Sequence, residues 1–153
     1  QRMVHRNFTK IGGFKYDDQE IEFAKEIAST LEKPLDMKYI HNVAPYDVNP
    51  QGIGGSTDVG DVSYTVPTAG LRGATWVPGT PAHSWQAVAA GGTSIGLKGM
   101  MQAAKAMTLS GIELLESNGL ISKIKKEFID IRGQDFKYIP LLGDREPALD
   151  YRN

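Results

Sequence analysis

The longest periodic segment of the chain, residues 92–119, constrains the fold more than any other feature. Small residues recur along it at alternating intervals of three and four positions, namely Gly96, Gly99, Ala103, Ala106 and Ser110. This spacing predicts an α-helix with one face almost free of side chains, which a neighbouring sheet can approach closely. Bulkier residues surround that face, so we expect a central helix that is buried over much of its circumference. Thr93 or Ser94 suits the start of this helix, and Gly119 suits the left-handed residue past its end.

Two further segments have helical periodicity. Asp17 lies three residues before Glu20, which is the spacing of a capping box, and apolar residues then repeat on one face until Pro34. The second segment, residues 120–133, follows a Ser-Asn-Gly turn and places its lysines on the face opposite its apolar residues. Both segments are predicted to be amphipathic helices.

Three short segments suggest a sheet. Residues 37–43 and 74–79 are rich in β-branched or aromatic residues, with Gly or Pro near their ends. Residues 61–67 are ambiguous, because valine and tyrosine alternate as in a strand whereas Ser56 or Thr57 could cap a short helix there. The predicted fold class is α/β, with helices packed on a short mixed sheet. At 153 residues and 41% hydrophobic content, the chain is expected to form one globular domain.

Composition excludes several classes of partner and site. The 17 Lys and Arg residues nearly balance the 18 Asp and Glu residues, and no long run of like charge occurs, so nucleic acid and membrane surfaces are not expected partners. The absence of cysteine rules out disulfides and thiolate chemistry, and it fits a reducing, cytoplasmic compartment. Any metal would therefore be held by His, Asp or Glu.

The first candidate site segment is the sequence Gly-Gly-Ser-Thr-Asp at residues 54–58, which ends a loop rich in Pro, Gly and Asn. Its backbone N–H groups could approach an anion such as a substrate carboxylate. A flexible turn that leads into a capped element would have the same composition, so the glycines alone do not decide between these interpretations.

The second candidate is His83, which follows Pro78-Gly79-Thr80-Pro81 and precedes a serine and a tryptophan. A structural or surface role is the default for a single histidine, but an imidazole fixed in a defined loop is a good metal ligand. The other histidines are His5, near the start of the chain, and His41, within a strand pattern. A hydrolytic metal site needs about three protein ligands per ion and a general base. No His-x-Asp or Glu-Glu pair supplies them here, so the chain alone is predicted to lack amidase activity.

The order of these motifs resembles a known family. The Gly-Gly-Ser-Thr-Asp loop, the apolar segment 74–79, the sequence Pro-Ala-His-Ser at 81–84 and the Gly/Ala-rich helix are similar to the C-terminal part of the catalytic domain of M20-type metallopeptidases and amidohydrolases. Within that family, the resemblance is closest to the enzymes that cleave p-aminobenzoyl-glutamate. It implies that residues 1–153 are the C-terminal portion of a zinc-peptidase-like α/β catalytic domain, without its first half and without the lid domain that mediates dimerisation.

The resemblance also implies roles for individual residues. His83 matches the last metal ligand, the loop residues Gly54, Gly55, Ser56 and Thr57 match the lining of the substrate pocket, and Asp58 matches a residue that orients a ligand or the loop. The complete site would hold two divalent ions, zinc or manganese, and a general base from outside this chain. The implied substrate is an N-acyl amino acid amide such as p-aminobenzoyl-glutamate, and the implied partners are the rest of the catalytic domain and other subunits. The alternative is a non-enzymatic protein-interaction module derived from the same fold.

Overall fold

The computed structural model describes residues 1–48 and 57–150, and within those ranges every regular element is helical. The elements are α1 (Arg2–Ile11), α2 (Asp18–Ser29), a short 3-10 helix (Met37–Ile40), α3 (Val59–Thr65), α4 (Trp85–Gly91), α5 (Ser94–Glu116) and α6 (Leu120–Arg132). No strand occurs in the described ranges, so the predicted α/β class, with helices on a mixed sheet, is wrong. None of these helices is both long and apolar enough to cross a membrane.

The two predicted strands, residues 37–43 and 74–79, are wrong for local reasons, and the ambiguous segment 61–67 is largely helical. Residues 37–40 form the 3-10 helix because the Asp36 carboxylate accepts a hydrogen bond from the Lys38 backbone N–H at 2.8 Å and so caps a turn. Residues 74–77 are irregular and pair with no other strand among the described residues, and pairing is what stabilises a strand. For residues 61–67 the helical alternative is confirmed: α3 follows Thr57, whose hydroxyl accepts from the Val59 N–H at 3.2 Å.

The chain divides into two compact units. The first contains Gln1–Gly52 and Ala69–Asn118, and the second contains Ile53–Thr68 and Gly119–Asn153. Residues 49–56 and 151–153 of these units lie outside the described ranges.

The first unit has the main apolar core. Its most deeply buried residues come from α2, the 3-10 helix, the segment before α4, and the helices α4 and α5; they include Ala24, Ile40, Val77, Ala90 and Ile95. Helix α1, which sequence analysis did not predict, packs against α5. The buried Asn7 amide donates to Ser110 Oγ at 3.3 Å and to Glu113 Oε2 at 2.8 Å, and Arg6 forms an ion pair with Glu113. These contacts join the two ends of the unit.

The small-residue face of α5 packs closely, as predicted, but its neighbours are not a sheet. A Cβ atom on Gly99 would lie 2.4 Å from the Ala74 carbonyl oxygen, and one on Gly96 would lie 2.1 Å from the Gly91 carbonyl oxygen. The neighbours are therefore the irregular segment before α4 and the end of α4. The expectation that α5 is buried over much of its circumference is wrong, because its bulky face is exposed: Leu97, Met100, Met101, Met107, Ile112 and Leu115.

The second unit is smaller, and neither of its helices contains a buried residue. Here α3 is held by the last residue of α6 and by the segment that follows it. Arg132 donates to the Tyr64 carbonyl oxygen at 3.1 Å, the rings of Tyr64 and Phe136 stack with 5.4 Å between centroids, and the Tyr138 hydroxyl donates to the Asp61 carboxylate at 2.6 Å. These contacts fix the helix that follows the glycine-rich loop.

Candidate functional site

His83 borders a surface hollow of about 390 Å³. The hollow is lined by Trp76, His83, Ser84, Trp85, Ala87 and Val88. The chain has two tryptophans, and both line this hollow. The imidazole therefore stands beside apolar aromatic surface at the start of α4.

A turn built on Gly79 carries the chain into this hollow. Gly79 has φ 92°, and a Cβ atom there would lie 2.7 Å from the Lys33 carbonyl oxygen, so the position requires glycine. The Thr80 N–H donates to the Val77 carbonyl oxygen at 3.1 Å and closes the turn. Because Val77 belongs to the buried core, the turn that precedes His83 is anchored to the interior of the unit.

The backbone of His83 is itself unusual. Its φ of 59° lies in the left-handed region, which few residues other than glycine adopt. The next residue caps α4: Ser84 Oγ accepts from the Ala87 N–H at 3.2 Å and donates to the Pro81 carbonyl oxygen at 2.7 Å. Left-handed conformations of this kind are often found at functional sites and persist only where the surroundings impose them.

The His83 ring is exposed and forms no hydrogen bond or ion pair with another described residue. The other two histidines differ in this respect. His5 Nε2 lies 2.8 Å from the Ala44 carbonyl oxygen, and His41 Nδ1 lies 3.0 Å from the Phe14 carbonyl oxygen. His83 is thus the histidine whose two ring nitrogens both remain available to a ligand.

The other predicted site residues lie in the second unit or outside the described ranges. Gly54, Gly55 and Ser56 are outside the described residues. Thr57 and Asp58 are exposed at the start of α3, and the Asp58 backbone carbonyl accepts from the Asp61 N–H at 3.0 Å. The Asp58 carboxylate makes no capping hydrogen bond, so it is open to solvent or to a ligand.

His83 belongs to the first unit and Thr57 and Asp58 to the second. The expectation that the loop and His83 border one shared concavity stays a prediction. Among residues 1–48 and 57–150, no group of three His, Asp or Glu side chains comes together to hold a metal ion. The imidazole of His83 can serve as one metal ligand, since it is exposed, has no partner among the described residues and follows a turn that is anchored to the core.

Trp76 was not predicted as a site residue. Residues 74–79 were predicted to form a strand, in which Trp76 would be an ordinary apolar side chain. The signal that could have found it is the short interval between the two tryptophans, which bracket the Pro/Gly turn and His83. Aromatic residues on both sides of such a turn indicate a lined hollow rather than a solvated loop.

Comparison with known proteins agrees with the motif order. The chain is 30% identical, across 97% of its own length, to a subunit of the p-aminobenzoyl-glutamate hydrolase of Escherichia coli (strain K12). The predicted resemblance to the enzymes that cleave p-aminobenzoyl-glutamate is confirmed. The chain spans 36% of the length of that relative. No protein-family model matches the chain, and no solved structure matches it.

Proposed function

We propose that this chain is part of a metal-dependent amidohydrolase that cleaves an N-acyl amino acid amide such as p-aminobenzoyl-glutamate. The observation that carries the proposal is the similarity across 97% of the chain to a subunit named for that hydrolysis. The unpartnered imidazole of His83, beside an aromatic hollow, supports it chemically.

His83 would supply one imidazole ligand in this enzyme. The chemistry that a bound zinc or manganese ion supplies in an amidohydrolase is Lewis-acid polarisation of the scissile carbonyl. The left-handed backbone at His83 and the Ser84 cap fix where the ring leaves the chain, so little backbone freedom is lost when the ring binds an ion. The other ligands and the general base would come from outside this chain.

The loop residues Gly54, Gly55, Ser56 and Thr57 would line the substrate pocket. Glycines and small hydroxyls let backbone N–H groups approach a substrate carboxylate closely. Asp58, at the start of α3, would orient a metal ligand or the loop through its unpaired carboxylate. The name of the relative calls it a subunit, and we propose that the enzyme containing this chain likewise assembles with other subunits.

The test uses a full-length enzyme that contains this chain, assayed for hydrolysis of p-aminobenzoyl-glutamate and for bound divalent metal. His83→Ala should reduce turnover by at least roughly 10–100-fold, the loss seen when even residues behind a metal ligand are changed. It should also lower the amount of metal bound. His41→Ala is the control, since that exposed ring binds the Phe14 carbonyl oxygen, and it should retain both activity and metal. The isolated 153-residue chain should show no turnover.

Equal activity and metal content in His83→Ala and in the unchanged enzyme would refute the ligand role. Turnover by the isolated chain, dependent on His83, would refute the division of the site between this chain and the rest of the enzyme.

The alternative is a protein-interaction module, and the exposed bulky face of α5 favours it. Large apolar residues cover several turns of that helix with no partner among the described residues. A full-length protein that binds no divalent metal and hydrolyses no N-acyl amino acid, with or without His83, would support the interaction module instead.

A further inference from the structure

We propose that the first unit carries a second binding site, for a small aromatic carboxylate, in a cavity between α1, the 3-10 helix and residues 72–74. The cavity has a volume of about 410 Å³, which is within the roughly 300–1,000 Å³ range of small-molecule sites. Its apolar lining includes Phe8, Phe14, Tyr39, Val43 and Pro45. It shares no residue with the hollow beside His83.

The walls of the cavity are held by hydrogen bonds. The Phe14 N–H donates to the Ile40 carbonyl oxygen at 3.1 Å, and the His41 ring binds the Phe14 carbonyl oxygen. The Gln102 side-chain amide of α5 donates to the Gly13 carbonyl oxygen at 2.8 Å. The segment before α2 is therefore fixed on both sides.

Two further features keep these walls in place. The His5 ring of α1 binds the Ala44 carbonyl oxygen, which ties the segment after the 3-10 helix to α1. A Cβ atom on Gly13 would lie 2.1 Å from the Ile40 carbonyl oxygen, so the wall packs too closely for any other residue there. Because the cavity is formed by these contacts, a ligand would not have to pay the entropic cost of ordering it.

The cavity has one cation without a partner. Lys38 also lines it, but its ammonium group forms an ion pair with Asp36 at 3.2 Å. Arg72 also lines the cavity, and its guanidinium forms no hydrogen bond or ion pair with another residue in the described ranges 1–48 and 57–150. A planar guanidinium binds a carboxylate through two parallel hydrogen bonds, and aromatic walls favour a planar apolar body. These features fit a planar aromatic ring that carries a carboxylate, and they disfavour a cation.

This inference is independent of the proposed amidase activity, since His83, Thr57 and Asp58, the candidate site residues within the described ranges, do not line the cavity. Its test uses the 153-residue chain and benzoate as the probe. Backbone amide shifts of the ¹⁵N-labelled chain are followed during the titration. Benzoate should shift the amides of residues 12–14, 39–44 and 72–74, with a dissociation constant on the order of 1 mM, as expected for so small a ligand.

Arg72→Ala should weaken benzoate binding by about 10-fold or more, because the charge-assisted hydrogen bonds are lost. Arg145→Ala is the matched control: it removes the same charge from an exposed arginine of the second unit and should leave the affinity unchanged. Benzamide, which has the same ring but no charge, should bind about 10-fold more weakly than benzoate.

Three results would each overturn the proposal. The first is the absence of shifts at the cavity residues up to about 50 mM benzoate, far above the expected dissociation constant. The second is equal affinity of the Arg72 and Arg145 variants for benzoate. The third is equal affinity of the unchanged chain for benzoate and for benzamide. Since Arg72 is exposed, its variant should keep the spectrum of the folded chain.

Discussion

Glu20 is a charged residue in a site that water hardly reaches, with 5% of its surface exposed. Burial by itself would raise the pKa of its carboxyl group. Hydrogen bonds from Lys98, from Ser94 Oγ at 2.6 Å and from the Asp17 backbone N–H at 2.8 Å outweigh that effect and lower the pKa below its usual range. One carboxylate therefore caps α2 and joins it to the start of α5.

Glu20→Gln should lower the free energy of unfolding at neutral pH by about 1–3 kcal/mol, because it breaks a charge-assisted network that is largely buried. The pH dependence follows from the lowered pKa. The unchanged chain binds fewer protons at this site when folded, so the stabilisation is present above the unfolded pKa and is lost as the pH falls through the folded pKa. The difference in the free energy of unfolding between the variant and the unchanged chain should therefore become smaller in acid. Urea unfolding at neutral pH and near pH 3, below the ordinary glutamate pKa, measures it.

Glu22→Gln is the control for this substitution. Glu22 pairs with Lys25 on the exposed surface of the same helix, so its loss should cost less than about 0.5 kcal/mol. Equal destabilisation by both substitutions, or a Glu20 effect that persists in acid, would contradict the assigned network.

Single residues differ in how far their roles can be predicted from the sequence. The Asp17–Glu20 capping box was predicted because both partners lie within one turn, and it is confirmed. The contact between Glu20 and Lys98 joins residues 78 positions apart, and no local pattern encodes it. For His83 the sequence predicted a fixed loop, but not the left-handed backbone or the hollow between two tryptophans, since both depend on how the turn packs on the core.

The helices and strands also differ in how far they can be predicted from the sequence. The helices α2, α5 and α6 were predicted from long apolar periodicities, and they are confirmed. The strands were wrong because segments of six or seven residues have too few positions to separate a period of 2 from one of 3.6. A strand also needs a neighbour to pair with, and the segments themselves do not show whether one exists. Helix α1 was missed because its stabilising contacts, through Asn7, lie in α5.

The small-residue face of α5 gives a prediction with an internal control. Gly99→Ala places a methyl group 2.4 Å from the Ala74 carbonyl oxygen, so the backbone must shift, and we expect a loss of about 1–3 kcal/mol. Gly111→Ala in the same helix meets no atom within 4 Å. There the better helix propensity of alanine should stabilise the chain by about 0.5–1 kcal/mol.

Thermal and urea unfolding of both variants measure the two effects. If Gly99→Ala destabilises the chain and Gly111→Ala stabilises it, then close packing, and not helix propensity, determines the change in stability at Gly99. Stabilisation by both substitutions would contradict the close contact between α5 and residues 74–75.

On the scale of the whole molecule, many large apolar side chains among the described residues are exposed. Several of them lie on the bulky face of α5, with Leu97 56% and Leu115 85% exposed at its two ends. The helical period places Met101 and Ala104 between them on the same side. The opposite side of α5 is the small-residue face that packs within the first unit.

This asymmetry predicts concentration-dependent self-association of the isolated chain through α5. A double substitution, Leu97→Lys with Leu115→Lys, should reduce both association and the fluorescence of a bound hydrophobic dye, because charge replaces two exposed apolar side chains of this face. The control is Ile131→Lys with Leu149→Lys, which adds the same charge at two residues that are 80% and 89% exposed in the second unit. Sedimentation velocity over a range of chain concentrations measures the association.

The α5 variant should remain monomeric at concentrations where the control still associates. Both variants should unfold within about 0.5 kcal/mol of the unchanged chain, since the substituted side chains are exposed. If the control substitutions reduce self-association as much as the α5 substitutions do, net charge rather than the α5 face governs association. If neither variant does so, the association surface lies elsewhere, and the exposed face of α5 would no longer favour the interaction-module alternative.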